Sequence, residues 1–169
     1  TCSRSCLASV GSSTSRWKSL AAMVTVPFQR AGSKPPAWAK PCSWRSAAKI
    51  RAADAFLFVV GEYNWSVQPG LKNLTDHFLE EWFWRPAAIA SYSAGRFGGV
   101  RAALAWRDIL GEMGMVVVSS TIAVGPMKDT LDENGEPVGN GGKALEKQFP
   151  RFADDLAWWT AAAKAQRCV

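Results

Sequence analysis

The sequence predicts an α/β fold, in which helices cover both faces of a parallel sheet. Short apolar runs at residues 55–60, 87–92 and 115–119 lack polar alternation, which is typical of strands buried on both faces. Helical patterns lie between these runs, and a strand, a helix and a second strand in succession form a parallel pair with a right-handed crossover. We therefore expect residues 54–124 to supply three parallel strands.

The helices follow from apolar spacing and from their end signals. They are predicted over residues 47–53, 71–84, 100–113 and 143–166. Pro86 ends the second of these helices and Gly114 the third, while Pro150 lies within the last. Residues 122–124 extend or follow the third strand.

Charge divides the chain of 169 residues, which has the length of one compact domain, into two unequal parts. Residues 1–53 hold nine of the 20 basic residues and none of the 14 acidic ones. This segment is also rich in serine and proline, a composition that forms regular structure poorly. We place an atypical basic segment at residues 1–44 and the folded domain at 45–169. The segment is a targeting arm, a basic tail for an acidic partner, or an altered version of the first strands.

Several function classes lack their usual signals. The cysteines show no spacing suited to zinc, and His77, the only histidine, falls inside a predicted helix, which disfavours a Ser-His-Asp or Cys-His mechanism. No apolar run reaches the roughly 20 residues of a membrane span. No recognisable nucleic-acid-binding module is present. We expect no catalytic side chain, no metal site, no membrane and no nucleic acid.

Chemistry is expected where the first two strands end, because loops at the carboxyl ends of parallel strands meet at the ligand crevice. The loop at residues 61–70 is polar and carries two aromatic residues. The loop at residues 93–99 contains three glycines, whose backbone can approach a planar ligand closely.

Both loops carry extended motifs. Residues 62–64 are Glu-Tyr-Asn, residues 69–73 are Pro-Gly-Leu-Lys-Asn, and residue 76 is Asp. Residues 91–102 are mostly small and end in Gly-Gly-Val-Arg-Ala. This combination resembles the NADPH-dependent FMN reductase family, whose first loop is Pro-Glu-Tyr-Asn and whose second ends in Gly-Gly-x-Arg-Ala. Gly61 stands where the family has proline. The resemblance covers residues 44–167.

The resemblance implies a flavodoxin-like parallel sheet, with FMN and NADPH as cofactors, and with the first two strands degenerate or missing here. Without them, residues 56–60 would form an exposed strand edge. The residues implied to contact the flavin ring are Glu62, Tyr63, Asn64, Trp65, Ser91, Ser93, Ala94, Gly95, Gly98 and Gly99. The family's phosphate loop has its nearest counterpart at residues 11–16, with Ser12 and Arg16 as donors. Because that counterpart is weak, weak FMN affinity is expected.

The implied activity is hydride transfer from nicotinamide to flavin N5, and onward to a quinone, an azo compound, a metal oxyanion or free flavin. The alternative is a catalytically silent flavodoxin-like scaffold, and a weaker one is a binder of acidic polymers through residues 4–51. A small-molecule electron acceptor and a cytoplasmic homodimer or homotetramer are also implied. The expected interface is the helix after the first loop, with Phe78, Trp82, Phe83 and Trp84.

Overall fold

The structure, a computed structural model, describes residues 44–167, with side chains from Ala47 onward. Its helices are α1 (Trp44–Ala52), α2 (Pro69–Thr75), α3 (Val100–Glu112) and α4 (Gly139–Arg167). Its strands are β1 (Phe56–Tyr63), β2 (Ser66–Val67), β3 (Pro86–Tyr92) and β4 (Val116–Val124). Single 3-10 turns lie at Glu80–Trp82 and Met127–Asp129. Most of the basic N-terminal segment, with Ser12 and Arg16, lies outside the described residues.

The sheet has the strand order β2-β1-β3-β4. β1 and β3 are parallel, with Phe58 opposite Ile89, and β3 and β4 are parallel, with Ala90 opposite Ile122. The three predicted parallel strands are thereby confirmed. The antiparallel strand β2, which pairs with the end of β1, is an addition that the sequence did not predict.

Alternate side chains of the strands enter two cores, as expected for a sheet covered on both faces. Phe56 and Phe58 of β1 pack with Ile89 of β3 and with Trp106 and Leu110 of α3. The opposite face forms a second core with α4, whose buried residues there are Leu145, Phe149, Phe152 and Leu156. The helices therefore lie on both faces of the sheet.

The helix predicted over residues 71–84 is shorter than expected. It ends at Thr75, and the chain then turns through shorter-range hydrogen bonds, with the Phe78 N–H donating to the Thr75 carbonyl oxygen (3.2 Å). The Trp82 indole N–H also donates to the carbonyl oxygens of Thr75 (3.2 Å) and Phe78 (3.1 Å), which holds this turn in place. His77 therefore lies in the turn after α2 and not within a helix.

The same packing corrects the expected subunit interface. Phe78 and Trp82 are buried in the core at 7% and 3% exposure, so they are unavailable to a partner. Trp84 remains 71% exposed.

The end of β1 also differs from the prediction, since the strand continues beyond residue 60 to Tyr63. Residues 122–124 extend the third parallel strand, β4, which is one of the two predicted outcomes. On the side of β1 away from β3, residues 56–60 have no strand neighbour within residues 44–167, although Phe56 and Phe58 are buried by helices.

The amino ends of the strands are fastened by charged side chains. Asp54 accepts from Lys164 (2.6 Å) and Arg167 (2.8 Å) of α4. The Lys164 hydrogen bond is the main reason that the pKa of Asp54 lies below its usual value. Among residues 44–167, no helix combines the length and the apolar character that crossing a bilayer requires.

Candidate functional site

The first candidate loop is a tight β-hairpin. Tyr63 of β1 is paired with Ser66 of β2, so Asn64 and Trp65 alone form the turn. Their φ angles are 46° and 76°, the pattern of a type I′ turn, which suits the right-handed twist of the paired strands. Asparagine tolerates this conformation, whereas a bulky residue such as tryptophan is strained in it. Trp65 is nevertheless held there with 68% of its surface exposed.

Gln68 closes the open edge of β1 below the hairpin. Its side-chain oxygen accepts from the Gly61 N–H (2.9 Å), and its Nε2 donates to the Val59 carbonyl (3.3 Å). The amide thus replaces part of a neighbouring strand. Proline at position 61 would lack this N–H, and a Cβ there would lie 2.7 Å from the Tyr92 ring. Glycine in place of the family's proline therefore has a local structural reason.

The second candidate loop is a glycine turn locked by backbone packing. Gly98 and Gly99 have φ angles of 59° and 77° and are buried. A Cβ on Gly99 would lie 2.7 Å from the Tyr92 carbonyl oxygen. Ser91, 1% exposed, donates to the Gly98 carbonyl (2.7 Å), so its hydroxyl supports the turn from beneath. Gly95, by contrast, is exposed and has open space where a Cβ would lie.

Arg101, the second residue of α3, joins the two loops. Its guanidinium is paired with the Glu62 carboxylate at the end of β1. The Arg101 Cζ atom lies 4.4 Å from the centroid of the Trp65 ring and 5.4 Å from that of Phe97. Hairpin, helix start and glycine turn therefore meet at one side chain.

Tyr92 lies where the two loops touch the sheet. Its ring faces Gly61, and its backbone packs against Gly99. Burial raises the pKa of Tyr92 above its usual value, and the neighbouring Tyr63 adds to the effect. The phenol is therefore neutral at ordinary pH.

All the predicted ring-contact residues lie in the described part of the chain, at one end of the sheet. They differ in their degree of burial. Glu62, Ser91, Gly98 and Gly99 are largely buried and hold the loops in place, while Ser93 is partly buried. The exposed residues are Tyr63, Asn64, Trp65, Ala94 and Gly95.

Gln68, Tyr92 and Arg101 also contact the two loops and were not predicted from the sequence. Arg101 was within the Gly-Gly-x-Arg-Ala motif, but its contact with Glu62, 39 positions earlier, carries no local signal.

A separate cleft of about 720 Å³ lies between the edge strand β4 and α4. Its lining includes Ser119, Thr121, Lys147 and Arg151, and none of the lining residues belongs to the two loops. Lys147 and Arg151 lie on α4, beside the edge strand β4, and lysine and arginine near a strand edge discourage pairing with other chains. In the described part of the chain, no group of three or more His, Cys, Asp or Glu side chains is placed to hold a metal ion.

The chain is similar to several known proteins. The sequence profile of the family described as NADPH-dependent FMN reductase matches residues 16–129. A quinone reductase of Pseudomonas putida is 32% identical over 137 residues, which cover 75% of this chain and 70% of that protein. An NAD(P)H-dependent FMN reductase of Pseudomonas aeruginosa is 43% identical over 74 residues, which cover 41% of this chain and 40% of that protein.

The solved structure of FerB, a flavoenzyme NAD(P)H:(acceptor) oxidoreductase from Paracoccus denitrificans, has a similar fold. It superimposes with a TM-score of 0.59 at 24% identity, covering 67% of this chain and 66% of that one. The matched stretch amounts to 40% of the Pseudomonas aeruginosa relative's length. The profile match covers well over half of the chain and includes both loops. The chain therefore belongs to the NADPH-dependent FMN reductase family.

Proposed function

We propose that this chain is an FMN-dependent NAD(P)H oxidoreductase that reduces a small-molecule acceptor: a quinone, an azo compound, a metal oxyanion or free flavin. The observation that carries the proposal is the junction of the hairpin and the glycine turn through Arg101, at the carboxyl ends of β1 and β3. Ligands of open parallel sheets bind at this end. Family membership supplies the cofactor and the reaction class.

The exposed residues suit a planar ring. Tyr63 and Trp65 offer aromatic surface at 37% and 68% exposure, and Gly95 leaves open space on the facing turn. The helix start after Gly99 directs backbone N–H groups and a positive dipole toward the same end of the sheet, where they would stabilise negative charge on the ring. The residues present therefore fit the flavin ring, with Ser12 and Arg16 as the proposed phosphate donors.

FMN, when bound, supplies a ring that takes hydride from the nicotinamide and passes electrons onward. The protein's own residues bind and orient that ring. Glu62 and Ser91 act through the loops they hold, while Tyr63, Asn64, Trp65, Ala94 and Gly95 form the proposed contact surface. Within the second loop, the Ser93 hydroxyl donates to the Gly95 carbonyl oxygen (2.9 Å), which fixes the start of the loop.

FMN titration of a Gly95→Leu variant tests the proposal. A Cβ atom at Gly95 would meet no atom within 4 Å, so we expect the variant to fold normally while leucine occupies the ring surface. We expect FMN affinity, followed by quenching of flavin fluorescence, to fall at least roughly tenfold, because the ring loses close backbone contact. NAD(P)H oxidation with a quinone should fall in parallel.

Gly111→Leu is the matched control. Gly111 also has open space around it but lies near the far end of α3. It should leave FMN affinity unchanged. Equal affinity of the Gly95→Leu variant and the unchanged protein would contradict the proposed placement of the ring.

The alternative is a catalytically silent scaffold. It is favoured by the strand edge at residues 56–60, which has no neighbouring strand within residues 44–167. Failure of the full chain to bind FMN or to oxidise NAD(P)H would support this alternative.

We further propose a homodimer or homotetramer in the cytoplasm, where NAD(P)H is available. The exposed apolar residues Leu79 and Trp84, at 58% and 71%, support association near the originally expected surface. Monomeric elution at micromolar concentration in size-exclusion chromatography would contradict it.

A further inference from the structure

The start of α3 carries a charge that the helix itself disfavours. Arg101 is its second residue, where the positive end of the helix dipole opposes a cation. The side chain must therefore be held by contacts outside the helix. Those contacts are the Glu62 carboxylate and the faces of Trp65 and Phe97.

Trp65 depends on this guanidinium more than Phe97 does. Its backbone φ of 76° is strained for a bulky residue, and its ring is mostly exposed. Of the cations placed over aromatic rings in residues 44–167, Arg101 is the one over Trp65. Phe97 has a second cation nearby, since the Arg96 Cζ atom lies 4.8 Å from its ring centroid.

Glu62 fixes the other end of the arrangement. Its side chain is 8% exposed, against 35% for Arg101. The Glu62 Oε2 and Arg101 Nε atoms are both buried without a partner. Neither of these two atoms reaches solvent, so this side of the ion pair lies inside the protein, between the hairpin and α3.

We propose that Arg101 is a positioning residue, which holds Trp65 in its strained turn and thereby sets the hairpin as one wall of the flavin site. Arginine suits this role because its planar guanidinium stacks on an aromatic face while pairing with a carboxylate. The effect on FMN rests on the proposed function. The placement of Trp65 does not, and it is measurable in flavin-free protein.

The test uses the full chain labelled with 5-fluorotryptophan, observed by ¹⁹F NMR. The chain has nine tryptophans, and Trp65→Phe identifies the resonance of Trp65. In Arg101→Met, the Trp65 resonance should move toward that of a free indole in water, because the stacked cation is gone. FMN affinity should fall roughly tenfold.

Arg96→Met is the matched control, since it removes one positive charge from the same region but leaves Glu62 and Trp65 in place. It should not move the Trp65 resonance, and its effect on FMN affinity reports the loss of charge alone. Arg101→Lys provides a second variant if methionine prevents folding. Lysine keeps the charge near Glu62 but cannot stack flat, so the Trp65 resonance should still move.

An unmoved Trp65 resonance in the folded Arg101 variants would overturn the proposal, and so would an equal shift in Arg96→Met. If the unchanged protein binds no FMN while the Trp65 resonance still moves in Arg101→Met, the positioning role stands and the proposed function fails.

Discussion

The two loops at the carboxyl end of the sheet are held by opposite means. The glycine turn is fixed by its backbone, because Gly98 and Gly99 pack directly on β3 and β4 and leave no room for a side chain. The hairpin is fixed by side chains that arrive from elsewhere, namely Gln68 on its edge and Arg101 on its tip. The glycine turn is therefore held by steric packing of its backbone. The hairpin is held by side-chain contacts, each of which a single substitution can remove.

The difference indicates that the two loops have different roles in ligand binding. A backbone-packed turn provides a fixed floor for a ligand, whereas an exposed and strained hairpin supplies a wall whose position depends on a few interactions. Strain tends to occur at functional sites, where surrounding structure maintains it. On this view, substitutions in the glycine turn and at the supported edge of the hairpin should reduce stability, and those at the exposed tip of the hairpin should mainly change binding.

The largest effect is expected at the floor, from Gly99→Ala. The φ of 77° is unfavourable for alanine, and its Cβ would lie 2.7 Å from a backbone oxygen. We expect the free energy of unfolding to fall by about 3 kcal/mol, measured by urea denaturation. Gly95→Ala, in open space, should stay within about 0.5 kcal/mol of the unchanged protein. A mild Gly99→Ala effect would show that the turn is adaptable.

A smaller loss is expected from Gln68→Leu in the hairpin. The Gly61 N–H and the Val59 carbonyl would lose their partner in a half-buried place. Each buried polar group left without a partner costs about 1 to 3 kcal/mol, and less where water reaches it. We therefore expect the free energy of unfolding, measured by urea denaturation, to fall by about 2 kcal/mol. Gln148→Leu, at an exposed position of α4, should have no measurable effect. Equal stability of both variants would contradict the edge-closing role of Gln68.

The glycine turn could be predicted from the sequence, whereas the hairpin could not. Apolar runs and glycines are local signals, so the parallel strands and the glycine turn could be predicted. The hairpin was missed because Asn64-Trp65 lacks the Asn-Gly pair that usually marks a type I′ turn.

The early end of α2 was missed for a different reason. The turn after Thr75 is held by the indole of Trp82, seven positions later, and no proline or glycine marks the break. Tertiary contacts of this kind override a helical pattern. The Glu62–Arg101 ion pair likewise could not be predicted, because a contact between positions this far apart produces no pattern in a single sequence.

The junction of floor and wall should respond to alkaline pH through Tyr92. Its pKa is raised in the folded protein, so its contribution to stability is complete below the usual value of 10.0 and is lost as the pH rises through the folded pKa. The chain has only two tyrosines, so Tyr63→Phe leaves Tyr92 as the sole source of tyrosinate absorbance. We expect its titration midpoint above 10.0. A midpoint at or below that value would show that the junction is open to water.

Urea denaturation at pH 8 and pH 11 gives the corresponding stability measurement. Tyr92→Phe cannot ionise at this position, so it should lose less stability between the two pH values than the unchanged protein does. Lysine ionisation is common to both proteins and cancels in the comparison.

The smallest change in stability is expected from Trp65→Gly. This variant should lower FMN affinity while leaving the free energy of unfolding nearly unchanged. Glycine relaxes the left-handed backbone at φ 76°, while the lost contact with Arg101 was worth about 0.5 to 1 kcal/mol at an exposed site. These effects oppose each other, so the urea midpoint should move by no more than the equivalent of about 1 kcal/mol. FMN affinity should nevertheless fall, because the exposed aromatic wall is gone. Asn64→Gly, which keeps the indole, is the control for stability and should leave the urea midpoint unchanged. If Trp65→Gly instead unfolded the protein, Trp65 would be a packing residue, and the contrast between floor and wall would not hold.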